Sequence, residues 1–273
     1  NAAANLFATD YSSGTLDGVT VHGDLDLTAY GATAYFVNGL SVKDSSGSNP
    51  GVINVTGLGA YLYSLGTQTL DQATVHLGGA SSTAYLYSGS GTLTLGPDLQ
   101  VLADGVGSYG YIYGGPIVNN GSMSFSNGSA SNYIASSEFT NNGTIASSNG
   151  SVVLIQPTTF TNLVAGTLTG GSYQAYAGSE ISLQQSSISP VATLAADVVL
   201  SGAGSRLRTY DTLTGTYTAL EDSLTTITAA GALHVLANRD YATSKAISNQ
   251  GTLELGGGSF TAPTLTNAGT LRG

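Results

Sequence analysis

Short bursts of alternating apolar and polar residues recur along this chain. Asp17-Gly18-Val19-Thr20-Val21-His22-Gly23-Asp24-Leu25-Asp26-Leu27 has the period of two that marks a strand with one buried face. Leu70-Asp71-Gln72-Ala73-Thr74-Val75-His76-Leu77 restates the pattern 54 residues later. Asn54-Val55-Thr56, Leu93-Thr94-Leu95 and Ser122-Met123-Ser124-Phe125 read as the matching strands between and after them. A second strand in each coil is predicted at Ala34-Tyr35-Phe36-Val37, Ala60-Tyr61-Leu62-Tyr63, Ala84-Tyr85-Leu86-Tyr87 and Gly110-Tyr111-Ile112-Tyr113. No stretch carries convincing helical periodicity.

Superimposed on this pattern is a repeat, Gly-[Thr/Ser]-[Leu/Ile/Met], often led by Asn. It occurs at Gly14-Thr15-Leu16, Gly91-Thr92-Leu93, Gly121-Ser122-Met123, Gly143-Thr144-Ile145, Gly166-Thr167-Leu168, Gly251-Thr252-Leu253 and Gly269-Thr270-Leu271. Neighbouring copies lie 22, 23 and 18 residues apart, from 121 to 143, 143 to 166 and 251 to 269. Tyrosines keep a similar beat: Tyr61, Tyr85, Tyr109 and Tyr133 are spaced by 24, as are Tyr63, Tyr87 and Tyr111. Short strands returning at such a period are the signature of a stacked solenoid, in which equivalent side chains sit about 4.8 Å above one another. Asn-Gly, Gly-Gly and Ser-Gly pairs then read as corners rather than hairpin turns. Parallel crossovers are overwhelmingly right-handed, and the strict six-residue repeat of left-handed helices is missing. The expected fold is all-β: a right-handed, single-stranded parallel β-helix of about a dozen coils. It would span 1–273 as one solenoid, more regular over 14–150 and 247–273 and less so over 151–246.

Composition narrows the function. Gly accounts for 38 of 273 residues and charged residues for only 8%, yet 41% of the chain is hydrophobic, which supports folding over disorder. The net charge is −10, and the six basic residues (Lys43, Arg206, Arg208, Arg239, Lys245, Arg272) form no stripe. Nucleic acid is therefore excluded as an expected partner, and anionic membrane surfaces are disfavoured. Without cysteine there is neither a disulfide framework nor a thiolate metal site. No apolar run reaches the length of a membrane span, so no insertion by this segment is expected. Asn1-Ala2-Ala3-Ala4-Asn5 lacks the basic and apolar regions of a leader, so any export signal is expected to have been removed or to lie outside this sequence. The composition fits an exported bacterial protein, extracellular or at the cell surface.

The phrases Thr15-Leu16-Asp17-Gly18-Val19-Thr20-Val21-His22-Gly23-Asp24-Leu25, Asn119-Asn120-Gly121-Ser122-Met123 and Phe260-Thr261-Ala262-Pro263-Thr264-Leu265-Thr266-Asn267-Ala268-Gly269-Thr270-Leu271 carry a resemblance. They resemble repeats of filamentous-haemagglutinin-like adhesins and autotransporter passengers, whose β-helices are pectin-lyase-like. The resemblance covers nearly the whole chain in style and is degenerate in motif. It implies secretion, a rod-like shape, and surface display or polymer contact. Such folds serve adhesion, matrix and enzymes alike.

Candidate chemistry is sparse. Tyr61, Tyr63, Tyr85, Tyr87, Tyr109, Tyr111 and Tyr133 form either a packing ladder or an exposed, sugar-stacking one. The intervening Leu62, Leu86 and Ile112 are apolar as well, so the sequence leaves both faces open: if these aliphatics fill the core, the tyrosines face out. A glycoside hydrolase needs paired carboxylates. Asp24 and Asp26 could share a face, whereas Asp10, Asp44, Asp71, Asp98 and Asp104 read as turn residues. Arg206 and Arg208 are the only basic pair, with Asp197 and Asp211 near in sequence. His22 and His76 are expected at equivalent positions two coils apart, about 10 Å, too far to share a metal; His234 is isolated. The Asn-x-[Ser/Thr] sites at Asn54, Asn120, Asn127, Asn142 and Asn149 read as turns. No catalytic residue, cofactor or dedicated metal site is expected, with incidental Ca²⁺ the one allowance.

The expected function is a non-catalytic, structural or adhesive rod whose partner is a cell-surface or matrix polysaccharide, or a host or neighbouring surface. Two alternatives stand beside it. Neither end carries a polar helical cap and the last residues stop inside a repeat, which fits either a piece of a longer protein or the first alternative, a filament subunit pairing with itself end to end. The other is a polysaccharide lyase or hydrolase.

Overall fold

Backbone hydrogen bonds in this protein run chiefly between successive coils, so each strand finds its partner about one repeat away in sequence. The computed structural model describes residues 6–128 and 130–273; the Asn1–Asn5 start discussed above lies outside them. The chain forms an all-β solenoid of about 10 turns with almost no helix. A first sheet begins at Leu6–Phe7, continues through Leu25–Leu27, Gly51–Val55, Ala73–Leu77, Gln100–Ala103 and Ser122–Phe125, and reaches Leu265–Asn267. A second sheet stacks Ser13–His22, Thr33–Lys43, Ala60–Ser64, Thr83–Ser88, Tyr109–Gly114, Ser131–Ser136, Val152–Ile155, Glu180–Gln185 and Arg206–Asp211. A third, shorter sheet comprises Gln68–Leu70, Leu93–Leu95, Ile117–Asn119, Glu138–Asn141 and Thr159–Phe160.

Alternation within each strand assigns one set of side chains to the interior, and the register keeps that set in columns. On the first sheet Leu25, Ile53, Val75, Val101, Met123, Ile145, Tyr173, Val198, Leu233 and Leu253 stand one above another, all buried. On the second, Leu62, Leu86, Ile112, Ile134 and Ile155 do the same. Each such aliphatic contributes about 1.5–3 kcal/mol relative to exposure. Where the third sheet meets this core, Phe139 stacks on Phe160 at 6.0 Å.

The Asn-led glycine repeat acquires a physical reason at the corners. Asn119, Asn141 and Asn162 lie buried above one another, and Asn119 Nδ2 donates to Asn141 Oδ1 at 2.8 Å. Asn249 donates likewise to Asn267 at 2.6 Å. The following glycines stack so closely that a Cβ on Gly143 would overlap the carbonyl oxygen of Gly121, and one on Gly269 that of Gly251. A second buried amide pair replaces aliphatics deeper in the coil: Asn127 and Asn132 bond reciprocally, Asn132 Oδ1 accepts the Gly110 N–H, and Ser151 Oγ donates to Asn127 Oδ1. Asn127, read from sequence as a turn residue, is thus a fully buried structural amide.

Several expectations are corrected. The Asp17–Leu27 alternation is two strands: Gly23, at φ 121°, turns the chain between His22 on the second sheet and Leu25 on the first. His22 therefore aligns with Lys43, not with His76, whose rung partners are Asn54 and Leu102. Asp24 sits at that same corner, before the strand that holds Asp26. Leu70–Leu77 is likewise broken, at Gln72 (φ 51°), and Leu93–Leu95 belongs to the third sheet. The motif thus marks entry into a strand on any face. Turns number about 10 instead of a dozen, because central coils are long: Tyr173 aligns with Val198, and Val198 with Leu233. The extra length of the latter coil holds a hairpin, Arg206–Asp211 against Thr216–Ala219, and the one-turn helix Leu220–Ser223. Asp211 fixes the hairpin loop by accepting from the N–H groups of Leu213 and Ser187 and the Thr214 hydroxyl. Those bonds hold its carboxyl below the usual range.

Two copies of one motif should respond oppositely to a methyl group. Gly143→Ala is expected to destabilise by about 1–3 kcal/mol through overpacking. Gly14→Ala, with nothing within 4 Å of its Cβ, should stay within about 0.5 kcal/mol of the parent. Thermal melting of both variants checks this, and equal losses would refute the stacked-corner account.

Candidate functional site

Alternation that sends Leu62, Leu86, Ile112 and Ile134 inward sends the flanking residues out, and on this face they are tyrosines. The register sets Tyr61, Tyr85, Tyr111 and Tyr133 in one column. Tyr35, Tyr63, Tyr87 and Tyr113 form a second, two residues along. Seven tyrosines were legible from spacing, yet their columns were not drawn correctly. Tyr109 aligns with Thr83 and is 43% exposed, while Tyr111 takes its place between Tyr85 and Tyr133. The constant 24 misleads because one coil is two residues longer and the next two shorter. Tyr35 and Tyr113 were missed as ladder members; their place at the same strand position as Tyr63 was the available signal.

Ring geometry decides what the ladder can offer. Tyr61 and Tyr85 stack at 4.3 Å and 14°, Tyr63 and Tyr87 at 4.3 Å and 30°, and Tyr111 and Tyr133 at 4.6 Å and 9°. Tyr113 turns edge-on to Tyr87 at 4.5 Å and 80°. In-register rings a strand spacing apart thus cover one another's faces. A sugar would meet ring edges and phenolic hydroxyls along most of the ladder. Burial among neighbouring rings pushes the phenols of Tyr63, Tyr85, Tyr111 and Tyr113 above their ordinary value.

Charged side chains gather elsewhere. On the outer face of the first sheet His234, which looked isolated in sequence, lies between two carboxylates: Nδ1 is 2.6 Å from Glu254 Oε2 and Nε2 is 3.1 Å from Asp197 Oδ1. The second is a close approach and not a directed hydrogen bond. Ser172 Oγ donates to the other Asp197 oxygen at 2.7 Å. Ser172 therefore meets the carboxylate and not the imidazole, so the order of a Ser-His-Asp triad is not formed. Of the two ring nitrogens of His234, Nδ1 is the one hydrogen-bonded, to Glu254. Arg208 bonds Glu180 at 2.6 Å and lies 3.8 Å over the Tyr217 ring, while Arg206 is exposed. Asp197 and Asp211 belong to different sheets. His76 approaches Asp104 at 3.5 Å. Among the described residues no group of three or more His, Asp or Glu is arranged to hold a metal ion.

One concave feature was missed from sequence. The third sheet ends at Phe160, and the next coil crosses from Gln185 to Val191 without a strand there. This leaves a groove of about 520 Å³ lined by Gln156, Thr158, Gln184, Gln185, Ser187 and Thr212, over an apolar floor that includes Pro157, Leu163 and Ile188. Its polar lining carries no charge. Comparison of the chain with protein-family models, curated proteins and solved structures finds no match.

The raised phenols give a signed pH dependence. A phenol is neutral when protonated, so raising its value in the fold adds stability that is intact below about pH 10 and lost as pH climbs through the raised values. Ultraviolet titration of phenolate should lag in the folded chain relative to the chain in denaturant, and Tyr85→Phe with Tyr111→Phe should shrink the lag. Superimposable curves would remove the burial account of the ladder.

Proposed function

We propose that this chain is a non-catalytic, extracellular structural and adhesive rod of the kind its repeats resemble, contacting neutral polysaccharide at the surface of a bacterium or in its matrix. The observation that carries the reading is the uncharged groove beside the end of the third sheet. Amide and hydroxyl groups over an apolar floor suit a polymer that presents hydroxyls and C–H faces and bears no charge. The scaffold supports the same reading: stacked coils with a continuous hydrogen-bonded sheet resist bending and hold such contacts at fixed positions. About 10 turns at the strand spacing give a rod about 50 Å long. The His234 cluster supports a structural role for the carboxylates, since Asp197 and Glu254 are engaged by the imidazole between them.

Binding to immobilised neutral and acidic polysaccharides, with assay of released reducing ends, tests this. Neutral polymer should be retained and released intact, and Gln156→Ala with Gln185→Ala should weaken retention about tenfold, the loss of about 1.4 kcal/mol of polar contact. Product release would replace the reading with the hydrolase or lyase one. Regular fibres in electron micrographs of the purified chain would replace it with the end-to-end filament.

A further inference from the structure

We propose that the tyrosine ladder is an oxidative cross-linking site, at which a peroxidase-class oxidant joins phenols of neighbouring coils through dityrosine bonds. The ladder concentrates Tyr35, Tyr61, Tyr63, Tyr85, Tyr87, Tyr111, Tyr113 and Tyr133 on one outward face over consecutive rungs. Contacts within each column run from 4.3 Å for Tyr61–Tyr85, through 5.3 Å for Tyr85–Tyr111, to 4.6 Å for Tyr111–Tyr133. The columns also touch, Tyr85 lying 5.6 Å from Tyr113. A radical formed at any member therefore has a neighbouring phenol within van der Waals range. Two radicals formed at different positions can meet by electron exchange along the stack, without diffusion of the chain.

The chemistry balances. The oxidant removes one electron from each of two phenols, and each phenolic proton leaves to water. The phenoxyl radicals couple carbon to carbon, ortho to their oxygens. The two hydrogens at the joined carbons then move to the oxygens, restoring both aromatic rings. The net change is one C–C bond formed and two hydrogen atoms lost, and a hydrogen peroxide co-substrate takes up these electrons and protons as two waters. Partial exposure of the rings leaves their edges, where the ortho carbons lie, open to a small oxidant or to electron transfer at the protein surface. Each bond would join two coils covalently on the second sheet, where a slip of register would otherwise break the stack.

The stacked pair Tyr210–Tyr217, 4.2 Å apart, serves as an internal comparison. It belongs to the Arg206–Ala219 hairpin, has no third ring within the stack, and lies beneath the Arg208 guanidinium, which opposes removal of an electron from Tyr217.

The test is treatment of the dilute full chain with a haem peroxidase and limiting hydrogen peroxide, followed by proteolysis and peptide mass mapping. Trypsin is unsuitable because no Lys or Arg lies between Lys43 and Arg206. A protease specific for aspartate separates Tyr61 and Tyr63 from Tyr85 and Tyr87 at Asp71, and these from Tyr109, Tyr111, Tyr113 and Tyr133 at Asp98 and Asp104, and fragmentation of each peptide in the mass spectrometer assigns the linked residue within it. The expected result is dityrosine fluorescence on a chain of monomeric size, with linked peptides two hydrogens lighter that join neighbouring rungs of the ladder. A chain with all eight ladder tyrosines changed to Phe should lose that fluorescence while keeping its melting profile. Links confined to exposed Tyr11, Tyr109 or Tyr217, or found only between copies, would overturn the proposal. So would undiminished fluorescence in the folded Phe variant. If that variant does not fold, the map of the parent chain decides alone.

Discussion

The parallel hydrogen-bond ladder between coils is the constraint on which everything else in this protein depends. It places each residue a strand spacing above its counterpart, so whatever occupies one position must tolerate a near copy of itself as its neighbour. Aliphatics satisfy this by packing in columns, as from Leu62 to Ile155. Asparagine satisfies it because an amide both donates and accepts: Asn119 donates to Asn141 on the next coil, and Asn127 and Asn132 bond reciprocally in the interior. Glycine satisfies it at corners where carbonyls of adjacent coils leave no room for a Cβ, as at Gly121 and Gly143.

Charge fits this constraint least well, which accounts for the character of the surface. Like charges one strand spacing apart repel. The chain keeps few, and where Asp197 and Glu254 face the same coil from either side, the His234 imidazole lies between them. Arg208 answers Glu180 in the same way across the second sheet. Outward positions on such a scaffold are filled mainly by uncharged groups: amides, hydroxyls and phenols repeated at fixed spacing. Tyrosine combines both demands, stacking like an apolar ring while presenting a hydroxyl to water.

Departures from regularity are where the molecule acquires individual features. The third sheet stops at Phe160, and the groove lined by Gln156, Gln184 and Gln185 opens beside its end. Past Arg206–Asp211 the second sheet closes with an antiparallel strand and a helical turn, after which the first sheet continues and Tyr241–Ala242 pairs with Phe260–Thr261 in a separate two-stranded sheet. None of these had a sequence signal strong enough to name, because each is defined by what the preceding coil leaves uncovered.

The sequence by itself pointed to the solenoid, since the same residue types return at a near-constant interval, which stacked coils require and a sandwich does not. It also determined that the tyrosines lie together, but not which way they point, because Leu62, Leu86 and Ile112 between them are apolar as well. Tertiary structure decided the register. Only the stacked backbone could show that Tyr111 and not Tyr109 follows Tyr85, that Gly23 splits one apparent strand between two sheets, and that His234 has partners on the coils on either side. The reason is physical: alternation is local and survives in any register, whereas a contact across coils depends on the summed length of every strand and corner between its two residues.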